Sequence, residues 1–221
     1  MSLKKVKWIF FDNDGILVDT EALYFQANRE VLASIGIDLT RERFMRISMQ
    51  EGHSTFVLAE ELGFDPKTIK ELHDIRNRRY AELLADGVRI MDGVSETLRE
   101  LAGKVSMGVV TSCRKVHFEL IHKHTGLLDF FNFIITTEDV RRTKPDPEPY
   151  LKALELSGCR TSECLVVEDS ERGLTAARAA GIGCMVVPNH LSAHGDFSCA
   201  CRVLDNIQAI VDYVTTSSGS F

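Results

Sequence analysis

The sequence predicts an α/β fold: a doubly wound parallel sheet (a Rossmann-like core) with a small all-helical unit inserted after the first strand. Three observations carry this. Five short apolar runs, at 8–11, 105–110, 133–135, 164–167 and 184–187, are bounded by turn residues and are apolar throughout. Strands buried on both faces of a parallel sheet read this way, whereas half-exposed strands alternate. Helical patterns at 115–125, 147–156 and 173–180 fall between the later runs. Strand, helix and strand in series require crossover connections, which are right-handed. Third, from 21 to about 101 no strand pattern occurs, only amphipathic helices.

Within that interruption, "EALYFQANREVLASIG" places Leu23, Ala27, Val31 and Ile35 on one helical face, and Gly36 ends the helix. "STFVLAEELGF" and "KTIKELHDIRNRRYAELLADG" continue the helical pattern, and Asp92-Gly93 marks the return to the core. The expected organisation is a core of 1–20 with 89–221 and an insert of 21–88.

Composition excludes several classes. A net charge of -6 speaks against nucleic acid as a partner, because such proteins present a basic face; Arg76, Arg78 and Arg79 offer only a local basic patch. No apolar run approaches the roughly 20 residues that span a bilayer, so no membrane association is expected. Lys4, Lys5 and Lys7 precede a short apolar run that ends in acids without a cleavage site, unlike a signal peptide. Met1-Ser2-Leu3 reads as a vector scar and 217–220 as a polar tail. Cys113, Cys159, Cys164, Cys184, Cys199 and Cys201 show no framework spacing, which fits a reduced, cytoplasmic compartment. A monomer or weak dimer is expected.

In an open parallel sheet, ligands bind beyond the carboxyl ends of the strands. The first run ends in Asp12 and Asp14, the second in Thr111 and Ser112, the fourth in Glu168 and Asp169. Lys144 lies between the third and fourth runs, in "TKPDPEPY". Each signal alone has a plainer reading. Asp-x-Asp occurs in turns, Asp169, Ser170, Thr111 and Ser112 make good helix caps, and Lys144-Pro145 reads as a solvated turn. Together they fall on one edge of one sheet. Four acids in one crevice would repel and shift one another's pKa values upward, unless a hard divalent cation such as Mg2+ took their oxygens as ligands.

The stretches "FDNDGILVDTE", "VVTS", "KPDPEPYLKALE" and "VVEDSERGLTAARAAGI" resemble the four motifs of the haloacid dehalogenase superfamily. Within it they resemble the branch with a helical cap after the first strand, the phosphoglycolate phosphatase and beta-phosphoglucomutase-like enzymes. The resemblance spans nearly the whole core and the position of the cap. It implies that Asp12 is a nucleophile forming an aspartyl-phosphate, and that Asp14 is the general acid and then the base. It also implies that Thr111 donates to the transferring phosphoryl group and that Lys144 neutralises nucleophile and phosphoryl oxygens. Mg2+ would be held by Asp12, Asp169 and the Asp14 carbonyl, with Glu168 a ligand or the partner of one. Gly15 allows a sharp turn beside the phosphate, with Ser112 nearby.

The resemblance also sorts activities. Dehalogenases of the superfamily lack an acid at the position of Asp14 and need no metal, which points away from carbon–halogen cleavage. Phosphonatases use a Schiff-base lysine in the cap, but Lys67 and Lys70 sit at a charged helix start and read as solvated. The expected substrate is a small phosphorylated metabolite, a sugar phosphate or phosphoglycolate-like acid. A hexose-phosphate mutase is the alternative, weakened because Tyr24, Gln50 and Ile47 stand where its pattern has histidine, arginine and glycine. Ile16, where threonine or valine is common, implies slight repacking. Outside the enzymes, a receiver-type phospho-accepting domain would be half this length without a cap, and a binding protein without turnover would not need the full acidic set. Glu21, Tyr24, Arg46, Gln50, His53 and Arg76 are the cap residues expected to meet substrate. His190, His194, Cys199 and Cys201 form a weak zinc candidate, read here as a loop before a last strand in "RVLDN". His117, His122 and His124 are expected at the surface.

Overall fold

The computed structural model describes residues 6–216, with only the backbone described for Met49, Gln50 and Thr216. Met1-Ser2-Leu3, Lys4, Lys5 and the tail at 217–220 lie outside the described residues. In chain order the elements are β1 (Trp8–Phe11), β2 (Val18–Asp19), α1 (Glu21–Ser34), α2 (Arg41–Phe44), a π-helical turn (Met45–Gln50), α3 (Val57–Glu61) and α4 (Pro66–Ala85). Then follow β3 (Arg89–Ile90), α5 (Val94–Leu101), β4 (Ser106–Val110), α6 (Lys115–His122), β5 (Phe133–Ile135) and α7 (Glu148–Ser157). The last are β6 (Cys164–Glu168), α8 (Glu171–Ala179), β7 (Gly183–Val186), β8 (Arg202–Val203) and α9 (Ala209–Thr216). The chain divides into two compact units, Met1–Asp19 with Arg89–Phe221, and Thr20–Val88.

The first unit holds a six-stranded parallel sheet in the order β5-β4-β1-β6-β7-β8. The chain therefore starts in the middle, builds outward through β4 and β5, and crosses to the other side at β6. That reversal places the switch-point crevice at the carboxyl end of β1, between β4 and β6. The apolar runs become strands for the expected reason: Ile9, Phe10, Phe11, Leu165, Val166 and Val167 are all fully buried. On β4, Gly108 leaves room for Phe133, whose ring would lie 2.4 Å from a Cβ there and which stacks on Trp8 at 5.3 Å.

Several elements depart from the sequence reading. Helix α6 stops at His122, short of 125, and its histidines are not all on the surface: His117 and His122 are buried, while His124 is exposed. Helices α5 and α9 and the two-residue antiparallel ladder of β2 with β3 were not read individually. A ladder pairing Val18 with Ile90 and Asp19 with Arg89 is too short for any periodicity, and an ion pair of 2.9 Å joins its second pair. Thr111 and Ser112 do not cap α6, which begins after Arg114. Ser170 does cap α8, accepting from the Gly173 N–H at 3.2 Å.

The second unit is helical. Gly36, at φ +80°, ends α1 with bonds from its own N–H to Ala33 and from Ile37 to Leu32, both 3.0 Å. The buried face of α1 is Phe25, Ala27, Asn28, Val31 and Leu32; Leu23 and Ile35 are only half-buried. Asn28 is satisfied on that face: its Nδ2 donates to the Tyr24 carbonyl at 2.7 Å and its Oδ1 accepts from Thr55 Oγ1 at 2.9 Å. Asp65 caps α4 through the N–H groups of Lys67 and Thr68, with Pro66 in the first turn. Phe25, Leu32, Phe44, Ile47, Phe56 and Leu72 belong to this unit's own core. The basic patch dissolves: Arg76 is buried, Arg79 pairs with Glu30 at 2.6 Å and Glu82 at 3.0 Å, and of the three Arg78 alone is fully exposed. Among the described residues no helix is long and apolar enough to cross a membrane.

One glycine couples this architecture to the crevice. A Cβ on Gly173, in the first turn of α8, would lie 1.8 Å from the carboxyl carbon of the fully buried Glu168. Helix and strand end can meet only with no side chain there. Gly173→Ala is expected to destabilise the protein by about 1–3 kcal/mol, the usual range for overpacking a filled interior; denaturant unfolding measures it, and an unchanged midpoint would contradict the packing argument.

Candidate active site

Lys144 is 5% exposed, not solvated as its turn-like sequence suggests. Its Nζ donates to Asp12 Oδ1 at 2.8 Å, to the Val110 carbonyl at 2.7 Å and to Glu168 Oε1 at 2.5 Å. An ammonium has three N–H groups, and here each has an acceptor at the carboxyl end of a different strand: β1, β4 and β6. Burial disfavours the charged amine, but Asp12 and Glu168 outweigh it and hold the Lys144 pKa above its ordinary value.

Asp12, Glu168 and Asp169 present carboxylate oxygens that all lie within 4.8 Å of one another, and all three residues are buried. Three carboxylates against one ammonium leave an excess of two negative charges if all are ionised. The strain shows in Asp12, whose pKa is pushed up to about 7, by burial first and Glu168 second, with Lys144 offsetting only part. Oxygen donors with two surplus charges fit a hard divalent cation, so the residues present suit the metal the motifs imply. Asp12 and Asp169 are the side chains suited to hold it. Glu168 belongs to the cluster, but its Oε1 also accepts from Tyr150 OH at 2.6 Å and its Oε2 from Ser170 Oγ at 3.1 Å. It is better suited to anchoring Lys144 than to meeting a cation directly.

The turn after β1 sets the second acid apart. The Asn13 carbonyl accepts from Leu17 N–H at 2.8 Å, Val18 at 3.2 Å and Ile16 at 3.3 Å. Asp14 is half-buried, and its Oδ2 accepts from Thr111 Oγ1 at 3.3 Å; that hydroxyl in turn accepts from the Cys113 N–H at 2.9 Å. Gly15 takes φ +79°, and a Cβ there would lie 2.5 Å from Asp169 Oδ2, so both conformation and space require glycine. Ser112 is exposed.

Further polar groups, Tyr150, Asn13 and His122 buried and Arg172 and Asn189 half-buried, back these residues, and most of them escaped the sequence reading. Tyr150, fully buried, holds Glu168 in place, and its position six residues after Lys144 in a quoted motif could have flagged it. Arg172 Nη2 donates to the Lys144 carbonyl at 2.6 Å. Asn189 donates to Asp169 Oδ2 at 2.8 Å from a loop that carries no recognisable signal. Behind Asn13, its side-chain oxygen lies 2.7 Å from His122 Nε2, whose other nitrogen is 3.0 Å from Thr125 Oγ1. Burial pushes the His122 pKa down to about 4, so the ring is neutral and donates to Asn13.

The remaining candidates scatter. Arg76 donates to Tyr24 OH through a short bond and to Asn28 Oδ1 at 3.0 Å, with its guanidinium 4.7 Å from the Tyr24 ring centroid. Glu21 opens α1 and is half-buried; Arg46 and His53 are exposed, with Arg46 3.6 Å from Glu51. The side chain of Gln50 lies outside the described residues. Ile47 is buried in the helical core, and Lys67 and Lys70 are exposed. His190, His194, Cys199 and Cys201 are exposed and do not converge: among the described residues the acidic trio is the group of three or more whose ligand atoms come together. The stretch is a loop, as the sequence reads, and it runs into β8.

A doubly wound sheet whose central strand ends in paired acids, flanked by a buried lysine and a cation-suited cluster, is a setting suited to metal-assisted hydrolysis. The chain belongs to the haloacid dehalogenase-like hydrolase family, which it matches over residues 9–187. It is 32% identical over 209 residues to the protein CbbY of Rhodobacter capsulatus, covering 89% of this chain and 91% of that one. It is 32% identical over 179 residues to a phosphorylated carbohydrates phosphatase of Thermotoga maritima, covering 79% and 81%. Among solved structures, a variant of CbbY from Rhodobacter sphaeroides in complex with xylulose-1,5-bisphosphate superposes with a TM-score of 0.76 at 25% identity, covering 92% and 95%.

Two outcomes follow from the electrostatics. Between about pH 4 and pH 7 the folded protein keeps on Asp12 a proton that the unfolded chain has released, so this group's contribution to stability falls as pH rises through that window. A divalent cation competes with that proton. Thermal melts of metal-stripped protein should therefore show a larger Mg2+-induced rise in Tm at pH 8 than at pH 5; equal rises contradict the cluster. Lys144→Met would leave Asp12 and Glu168 buried without their cation. A loss of about 3 kcal/mol is expected at pH 8, with a smaller loss at pH 5 where Asp12 takes up a proton, both measured by denaturant unfolding.

Proposed function

We propose that this chain is a Mg2+-dependent phosphatase that hydrolyses a small phosphorylated metabolite, a sugar phosphate, through an aspartyl-phosphate on Asp12. The observation that carries the reading is the Lys144 ammonium bonded to Asp12 inside a cluster of three carboxylates, which carries two surplus negative charges once all are ionised. That arrangement suits a dianionic phosphoryl group delivered beside a metal and a fixed cation. The relatives named phosphatases or binding sugar bisphosphates support it.

In this reading an Asp12 oxygen attacks phosphorus, and the bond from phosphorus to the substrate's leaving oxygen breaks as Asp14 gives that oxygen a proton. Water then attacks the phosphorus, the bond to Asp12 breaks, and Asp14 takes the water's proton, which restores both acids. Asp14 can serve because it is half-buried and its Oδ2 accepts from the Thr111 hydroxyl, while Asp12 is the acid that the Lys144 ammonium holds. Lys144 balances the charge on Asp12 and the phosphoryl oxygens. When bound, Mg2+ supplies charge stabilisation of the transferring group, held by Asp12, Asp169 and the Asp14 carbonyl. Glu168 keeps Lys144 aimed. In the helical unit, Arg76 is 8% exposed and hydrogen-bonds with the uncharged side chains of Tyr24, Asn28, Asn77 and His73. Those partners hold the guanidinium inside the helical unit's own structure.

Para-nitrophenyl phosphate with and without Mg2+ tests the class, and a panel of sugar mono- and bisphosphates tests the substrate. Asp12→Asn is expected to lower kcat more than about 10³-fold while keeping the fold; comparable turnover would falsify the nucleophile. Asp14→Asn is expected to lower kcat by about 10²–10⁴-fold on alkyl phosphates but much less on para-nitrophenyl phosphate, whose leaving group needs no proton. A similar loss on both substrates would assign Asp14 a different role. Activation by a bisphosphate with interconversion of hexose phosphates would favour the mutase instead.

A further inference from the structure

Asn189 lies after β7, outside every motif, yet its side chain is satisfied at both ends. Nδ2 donates to Asp169 Oδ2 at 2.8 Å. Oδ1 accepts from the backbone N–H of Leu191 at 2.8 Å and of Ser192 at 3.1 Å, and the Asn189 N–H donates to Ser192 Oγ at 3.0 Å. A flipped amide would set its oxygen against a carboxylate oxygen and its NH2 against two N–H donors, so the contacts permit one orientation. Gly15 packs on the third side: a Cβ there would lie 2.6 Å from Asn189 Nδ2 and 2.5 Å from Asp169 Oδ2. The Asn189–Asp169 bond is thus wedged against the turn that carries Asp12 and Asp14.

An aspartate's carboxylate has a broad rotation about its last bond, and a metal ligand gains from having that rotation fixed by a neighbour. We propose that Asn189 is a positioning residue for the cation site: it fixes the Asp169 carboxylate and thereby raises the affinity for a divalent cation. This rests on the reading of Asp169 as a metal ligand. An amide suits the task because it carries no charge; a lysine or arginine in its place would cancel part of the negative excess that attracts the cation. The plainer role, closing the 189–192 turn, is one that Ser192 shares through its hydroxyl.

The two roles separate in a Mg2+ titration of the metal-stripped full chain, read by Tm rather than by activity. Asn189→Ala and Asn189→Ser are each expected to raise the Mg2+ concentration at half-maximal stabilisation by about 10-fold or more. The serine variant keeps a hydroxyl acceptor for the turn, so it decides the matter if the alanine variant folds poorly. Ser192→Ala, which removes only a turn contact, should keep the parent midpoint even if its Tm is lower. An unchanged midpoint in Asn189→Ser, alongside a lost Mg2+ response in Asp169→Asn, overturns the positioning role. An undiminished Mg2+ response in Asp169→Asn overturns instead the assignment of Asp169 as a ligand.

Discussion

The Lys144 ammonium is the constraint on which the rest of the site depends. Its three N–H groups tie the carboxyl ends of β1, β4 and β6 together at 2.5–2.8 Å. Strand order makes this possible, because β1 pairs with both β4 and β6 in parallel register and their ends fall side by side. A buried lysine costs several kcal/mol of desolvation, and a well-packed apolar residue would serve stability at least as well. Its presence makes physical sense as a fixed positive charge beside a carboxylate that has to stay ionised to act.

The same contacts account for Glu168. It is held by Lys144, Tyr150 and Ser170, and Gly173 leaves the space its carboxyl fills. One residue further along the chain, Asp169 is held by an uncharged amide instead. Neighbouring acids at the end of one strand thereby have different partners: Glu168 balances the lysine, and Asp169 meets an amide. Asp12 and Asp14 divide in the same way. Asp12 is enclosed with opposing and like charges, whereas Asp14 is half-buried against a hydroxyl. Separating the environments of paired acids is how nucleophile and proton donor can coexist at one pH.

Behind the reacting groups lies polar structure in places where an apolar core would be simpler. The Asn13–His122 pair is nearly inaccessible to solvent, and the imidazole stays neutral because charging it there would go uncompensated. Together with the three N–H groups on the Asn13 carbonyl, it leaves the turn between the two acids little freedom. Rigid support of this kind holds reactive side chains to the small tolerances that phosphoryl transfer requires.

The sequence by itself determined the sheet, because strands buried on both faces must be apolar throughout, and it determined the unlike helical insert, because helical periodicity replaces those runs from 21 to about 101. It also determined Asp12, Asp14, Thr111, Lys144, Glu168 and Asp169 as candidates, since each follows a strand or adjoins one and strand ends share an edge. Only the tertiary structure decided their partners. That Lys144 is buried and three ways bonded, that His122 faces inward to Asn13, that Arg76 has neutral neighbours, and that Asn189 reaches Asp169 all depend on contacts between segments 20 to 132 residues apart. Periodicity reports which face of one element meets the interior. It carries no information about which residue of another element will be waiting there, and polar partners leave no hydrophobic trace to read.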